Sequence, residues 1–320
     1  MIVGVRSTEQ SAGITALGFC PNIILEMEGK KMGDIKDFQC TYDNASENSP
    51  EIAKKLGLAF PDAYLHADTM AALSKANKEG SGNAVCILPF CHTVEAEAMG
   101  GIITLGNEIA GPRAKEYVYT NYEELVNLPS FNLEEGRIHE VLLACKMLKE
   151  QGEYVALEVC GPITILNVLI DTKYIFKGMR KNPELMKQVF ERLGDEILRY
   201  MEEAKKYGVD FISYADSAGG VNILGPKMAE QMVDDFTYEF LKKAEKLADD
   251  KTMIMLCPKT TFALLGTDKA ELVDAELSGP MRYTEGCIEA LGRVKMVGQK
   301  CVKNVGYMLA EGKIKEVVLK

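Results

Sequence analysis

Short apolar runs set between long amphipathic stretches constrain this chain most. The runs "NAVCILPF" (83–90), "YVALEVCGP" (154–162), "VDFISYADS" (209–217), "TMIMLCP" (252–258) and "RVKMVGQ" (293–299) have the length and composition of strands buried on both faces. Between them, residues 182–208 and 227–250 place apolar side chains every third or fourth position, the spacing of a helix with one buried face. Gly208 stands where a helix C-cap belongs, and Pro226 just before a helix start. Strand, helix, strand at intervals of roughly 40 residues means parallel strands joined by crossover helices. A (β/α)8 TIM barrel is therefore expected. A doubly wound sheet ranks second, because no glycine-rich phosphate loop follows an early strand. Residues 1–320 read as a single barrel domain, with residues 1–70 as an irregular N-terminal segment. Within that segment "YDNASENSPEIAKKLG" (42–57) reads as a polar turn entering a helix, with Ser49 as N-cap before Pro50.

With 320 residues, 47% of them hydrophobic, the chain can bury a core of barrel size. A net charge of -10 argues against a nucleic-acid or anionic-membrane partner, since both carry negative charge themselves. A small molecule or another protein fits better, and a homodimer is among the expected assemblies. The start "MIVGVRSTEQ" lacks the basic and apolar regions of a leader, and no apolar run has spanning length; a soluble cytoplasmic protein is expected. The nine cysteines are scattered and odd in number, so disulfides are not expected. Sixteen Met and no Trp fit a reducing interior.

In a parallel barrel the reaction site forms at the C-terminal ends of the strands. That rule selects Cys91, His92, Glu95 and Glu97 in "PFCHTVEAEAMGG", then Cys160, Asp216 in "YADSAGG", Cys257, and Cys301 just after "MVGQK". Zn²⁺ takes thiolate, imidazole and carboxylate ligands, and a catalytic site supplies three while leaving one position open. Cys257 and Cys301 would share one ion if their strands are neighbours. Cys86 and Cys145 sit in apolar patterns and read as core. Glu95 and Glu97 are two apart, so on a helix only one faces the barrel mouth. Asp216 precedes Ser-Ala-Gly-Gly, a turn that lets backbone approach a ligand closely.

The segments "FPDAYLHADTMAAL" (60–73), "LPFCHTVEAEAMGG" (88–101), "GRIHEVLLACKMLKE" (136–150), "CGPITILNVL" (160–169) and "YADSAGG" (214–220) resemble the uroporphyrinogen decarboxylase superfamily. They look closest to its methyltransferase branch, the methylcobamide:coenzyme M methyltransferases and the methyltransferase components of corrinoid O-demethylases. The resemblance runs in order over about residues 60–260 and implies a (β/α)8 barrel, the answer the strand rhythm also gives. Decarboxylation fits less well: "TALGFCPNIILEMEG" (15–29) has no Arg to grip tetrapyrrole carboxylates, and the family's catalytic Asp falls near Cys91. The methyltransferase branch holds zinc with His-x-Cys at one strand end and a further downstream Cys. Here Cys257 takes the Cys place, Met255 stands in the His place, and Cys301 supplies the downstream thiol. Glu97 is the first substitute for the missing ligand and Glu276 the second.

The resemblance thus implies a zinc-assisted methyltransferase acting with a corrinoid (cobalamin) carried by a partner protein. The methyl donor is expected to be a small methoxy compound, such as an aromatic O-methyl ether, with Asp216, His92 or Tyr214 orienting or protonating it. The alternative in the same class passes methyl from methylcobamide to a thiol such as coenzyme M, or to tetrahydrofolate. Outside that class stand a metal-free decarboxylase or lyase using Asp216 and His92, and a non-catalytic barrel that captures a corrinoid or tetrapyrrole.

Overall fold

The computed structural model describes residues 50–320 apart from 108 and 109. The expectation at Ser49 and the thiols of Cys20 and Cys40 lie outside the described residues. The strands in chain order are β1 (Cys86–Leu88), β2 (Ile102–Thr104), β3 (Arg113–Glu116), β4 (Val155–Cys160), β5 (Phe211–Ala215), β6 (Met253–Leu256), β7 (Ala270–Glu276), β8 (Met281–Arg282), β9 (Met296–Val297), β10 (Met308–Leu309) and β11 (Lys313–Leu319).

The main sheet runs β1-β4-β5-β6-β9-β11-β7. Its first five strands are parallel, as expected of strands returned by crossover helices, and each falls inside an apolar run singled out above. The last two, β11 and β7, are antiparallel to their neighbours. Their alternation of charged and apolar residues, "AELVDAE" and "KIKEVVL", is that of a sheet wet on one side. Two small antiparallel pairs, β2 with β3 and β8 with β10, stand beside the main sheet.

The helices match the periodic segments. Pro183–Lys206 starts with Asn182 accepting from Leu185 N–H, carries Pro at its first turn, and ends two residues before Gly208. The segment expected over 227–250 is helical but not uniform. Gly225, at φ +72°, breaks Val221–Met232 so that Pro226 opens a second piece. A π-helical turn over Val233–Thr237 then leads into Tyr238–Ala244.

The fold is of the (β/α)8 barrel class. Among the described residues the hydrogen-bond ladder does not join β1 to β7, yet the sheet curls far enough for its inner side chains to form one core. Val85 before β1 and Ile87 within it pack with Ala156, Phe211, Met255 and Ile314, and with Tyr283 and Val302 from the C-terminal part. The turn before β1 is tied to that part directly: Arg282 Nη1 donates to Gly82 O at 2.6 Å, and Thr284 Oγ1 lies 2.9 Å from Asn83 Oδ1.

Candidate active site

Register fixes which side chains share a level inside the barrel. Glu158 of β4 pairs with Ser213 of β5, Ser213 with Met255 of β6, and Met255 with Val297 of β9. Because paired residues of parallel strands point to the same face, these four line one layer. Glu158 is the one charge in a six-residue strand buried throughout, and a buried carboxylate must be paired. Its partner is Lys303, with 2.7 Å between Nζ and Oε2 and side-chain exposures of 9% and 4%. Neither residue was singled out from the sequence, although a lone Glu in "VALEVC" is the signal that could have found it.

Above that layer sit the thiols. Cys257 follows β6, donates its N–H to Tyr214 O at 2.8 Å, and occupies the N-cap position of the nine-residue helix Pro258–Gly266. Cys301 follows β9, which is hydrogen-bonded beside β6, so the expected neighbourhood of the two strands is present. The 44-residue spacing is not one βαβ unit, however. The antiparallel β7 and β8 and the helix Tyr283–Ala290 lie between. Burial pushes the Cys301 thiol up, and the charges of Glu158 and Cys257 push the same way. Glu158 and Cys257 thus both lie near Cys301.

At the β1–β4 end of the sheet, His92 follows β1 and its Nδ1 lies 3.6 Å from Cys160 Sγ at the end of β4. The Cys160 thiol is pushed well up, first by burial and then by Glu95. Glu95 is 1% exposed and accepts the Cys160 N–H at 2.8 Å. Burial raises its carboxyl against that hydrogen bond.

Glu97, two residues on, points elsewhere. Its Oε2 takes Nε and Nη2 of Arg137 at 2.6 and 2.5 Å. The same guanidinium donates to Cys91 Sγ at 3.0 Å and Thr93 Oγ1 at 2.7 Å. Arg137 is 6% exposed, and nothing in its sequence setting at a helix start marks it. Glu276 ends the outer strand β7 and pairs with Lys313 at 3.1 Å, its side chain 73% exposed. Met255, in the expected His place, is 1% exposed and belongs to the apolar core.

Cys257, Cys301 and Glu97 do not form a group able to hold a metal, and among the described residues no three His, Cys, Asp or Glu side chains do. Two thiols suit zinc, but the third donor that a catalytic site needs is not presented. The residues present thus do not fit the zinc site that the resemblance implies, and no chemical step is derived through it.

Asp216 and Tyr214 belong to a different arrangement. Asp216 Oδ1 accepts Thr164 N–H and Thr164 Oγ1–H, both at 2.8 Å, and Oδ2 accepts Ile163 N–H at 3.3 Å. It thereby caps the helix Pro162–Leu169, whose N-cap Gly161 has no side chain to do so. Burial pushes its carboxyl up to about 6, opposed by the Thr164 hydrogen bonds. The Tyr214 ring lies against Phe240 of the helix layer with centroids 5.0 Å apart. Gly161 is dictated by this packing: a Cβ there would lie 2.3 Å from Asp216 Cβ and 2.7 Å from Tyr214 Oη.

A model of the uroporphyrinogen decarboxylase (URO-D) family matches residues 48–274, and the chain belongs to that family. Its similar relatives include the methylcobamide:CoM methyltransferase MtaA of Methanosarcina barkeri strain Fusaro, 29% identical over 245 residues, 76% of this chain and 70% of the relative. A second MtaA, also from Methanosarcina barkeri, is 26% identical over 281 residues, 87% of this chain and 79% of its own. Among solved structures, a methyltransferase from Methanosarcina mazei superposes with a TM-score of 0.59 at 25% identity, over 70% of this chain and 66% of that one.

Proposed function

We propose that this protein is a corrinoid-dependent methyltransferase. The observation that carries the reading is the pair of thiols, Cys257 and Cys301, at the C-terminal ends of adjacent parallel strands beside the buried Glu158–Lys303 pair. Family membership and the methylcobamide:CoM methyltransferases among its relatives support it. The corrinoid, carried by a partner protein, supplies the cobalt between which and a small molecule the methyl group moves.

The protein's own part is to bind the small molecule, exclude water and manage one proton. With a methoxy donor, the oxygen–methyl bond breaks, its electron pair stays on oxygen, and that oxygen takes a proton. In this reading His92, half-buried beside Cys160 at the strand ends, delivers it. In the opposite direction a thiol acceptor gives up its proton to the same base. Asp216, spent on capping a helix, is a positioning residue in this reading. Decarboxylation by Asp216 and His92 gains no support, because the Asp216 carboxylate already takes three donors.

The finer reading is a methoxy donor with zinc at Cys257, Cys301 and a further ligand; the two thiols favour it, and a third donor would have to move in.

The test is turnover. Reduced corrinoid with a panel of methoxy compounds, and methylcorrinoid with a panel of thiols, are each incubated with wild type, Cys257→Ala and Cys301→Ala. Methyl transfer in one direction, falling at least tenfold in both variants while circular dichroism is unchanged, supports the reading. Absence of transfer in both directions overturns it.

A further inference from the structure

A cavity of about 260 Å³ lies between the helix Ala67–Ser81 and β1. Val85, Ile87, Phe90 and Val305 give it apolar walls, while Ser74 and Asn77 bring a hydroxyl and an amide to its helix side. Lys303 also lines it, and that residue ties the cavity to the reaction site: its ammonium meets Glu158, and it is two positions from Cys301.

Size limits the occupant. An apolar cavity of ~150 Å³ holds a benzene, so this one accommodates a single ring with a few substituents and is far too small for a corrin. Charge limits it further. The two cations on the wall are both matched, Lys303 by Glu158 and Lys78 by Glu153. An anionic ligand would have to compete for Lys303 with a carboxylate 4% exposed, leaving that carboxylate buried without its counter-charge. An uncharged molecule leaves the pair intact and meets an apolar wall, the Asn77 amide and the Ser74 hydroxyl oxygen, whose own hydrogen goes to Ile87 O at 2.9 Å, the mixture typical of small-molecule sites.

We propose that this cavity binds an uncharged molecule of single-ring size carrying at least one hydrogen-bonding oxygen. Its role as the small-molecule side of methyl transfer rests on the reading above; its binding does not.

The experiment is calorimetric titration of the full chain with 2-methoxyphenol and, separately, with the anionic thiol 2-mercaptoethanesulfonate. Three variants accompany wild type: Val305→Trp, which fills the half-exposed end of the cavity, Asn77→Ala, which removes its amide, and Cys257→Ala. The expected result is saturable binding of 2-methoxyphenol that weakens at least tenfold in Val305→Trp and severalfold in Asn77→Ala. Cys257→Ala should bind it like wild type while losing turnover. Such binding without methyl transfer in any variant supports the cavity assignment and counts against the methyltransferase reading alone. Binding of the sulfonate but not of 2-methoxyphenol, or binding indifferent to both cavity variants, overturns the inference.

Discussion

Glu158 and Lys303 show how a single residue can be costly and still be kept. A charge inside a parallel barrel is tolerated only when paired, and removing one partner strands the other. Lys303→Ala should therefore cost about 3–5 kcal/mol in urea unfolding, while the double change Glu158→Gln with Lys303→Met should recover a good part of it. Equal losses in single and double variants would deny the coupling. Asp216 makes a separate prediction through pH. Its carboxyl is raised by burial from 3.8 to about 6. Between those values the folded protein holds a proton that the unfolded chain has released. The stability this group contributes is thus complete below 3.8 and is lost as pH rises through about 6. Relative to Asp216→Asn, wild type should lose about 3 kcal/mol of unfolding free energy between roughly pH 3.5 and 7. A difference independent of pH would mean that the carboxyl titrates normally.

At the scale of an element, the helix Pro162–Leu169 depends on a neighbour for its cap. Gly161 offers no side chain, and the residue that caps the helix comes from the end of β5, 52 positions away in sequence at Thr164. Gly161→Ala puts a methyl group into Asp216 and Tyr214, and overpacking of this kind costs about 1–3 kcal/mol. The thermal midpoint should fall by several degrees, and amide exchange at Ile163 and Thr164 should quicken ahead of the rest of the barrel. Unchanged protection there would show that the cap is not needed. The sequence signals a functional turn at "YADSAGG", and in the structure the Asp216 carboxylate of that turn accepts from the first turn of a helix. The difference arises because a buried carboxylate looks the same in sequence whether its donors are backbone N–H groups or a ligand.

At the scale of the molecule, the outcome turns on which strand ends meet. Cys257 and Cys301 stand after neighbouring strands, β6 and β9. Glu97 does not join them, being held by Arg137. Metal analysis of protein purified without chelator tests what the two thiols hold. Near-stoichiometric zinc that falls in both Cys257→Ala and Cys301→Ala, but not in Glu97→Gln, is expected if a third donor other than Glu97 moves in. Zinc lost in Glu97→Gln would mean that the Arg137 pair opens on binding. Absence of metal after zinc addition would remove the ion from the mechanism. No helix among the described residues is long and apolar enough to cross a membrane.

The parallel strands, the long helices, the buried Cys86 and Cys145, both 0% exposed, and the barrel class were legible from period and length, because those follow from local sequence and from which faces must be buried. The antiparallel β7 and β11 were not read, since their alternating charges resemble exposed loops until each is paired with the other. Register alone brings Glu158, Ser213, Met255 and Val297 to one level, and only the folded chain decides that Glu97 answers to Arg137 and Asp216 to a helix end. Composition and periodicity fix what must be inside. Which polar group finds which partner there is settled by contacts between residues tens to more than a hundred positions apart, and these exist only once the sheet has curled.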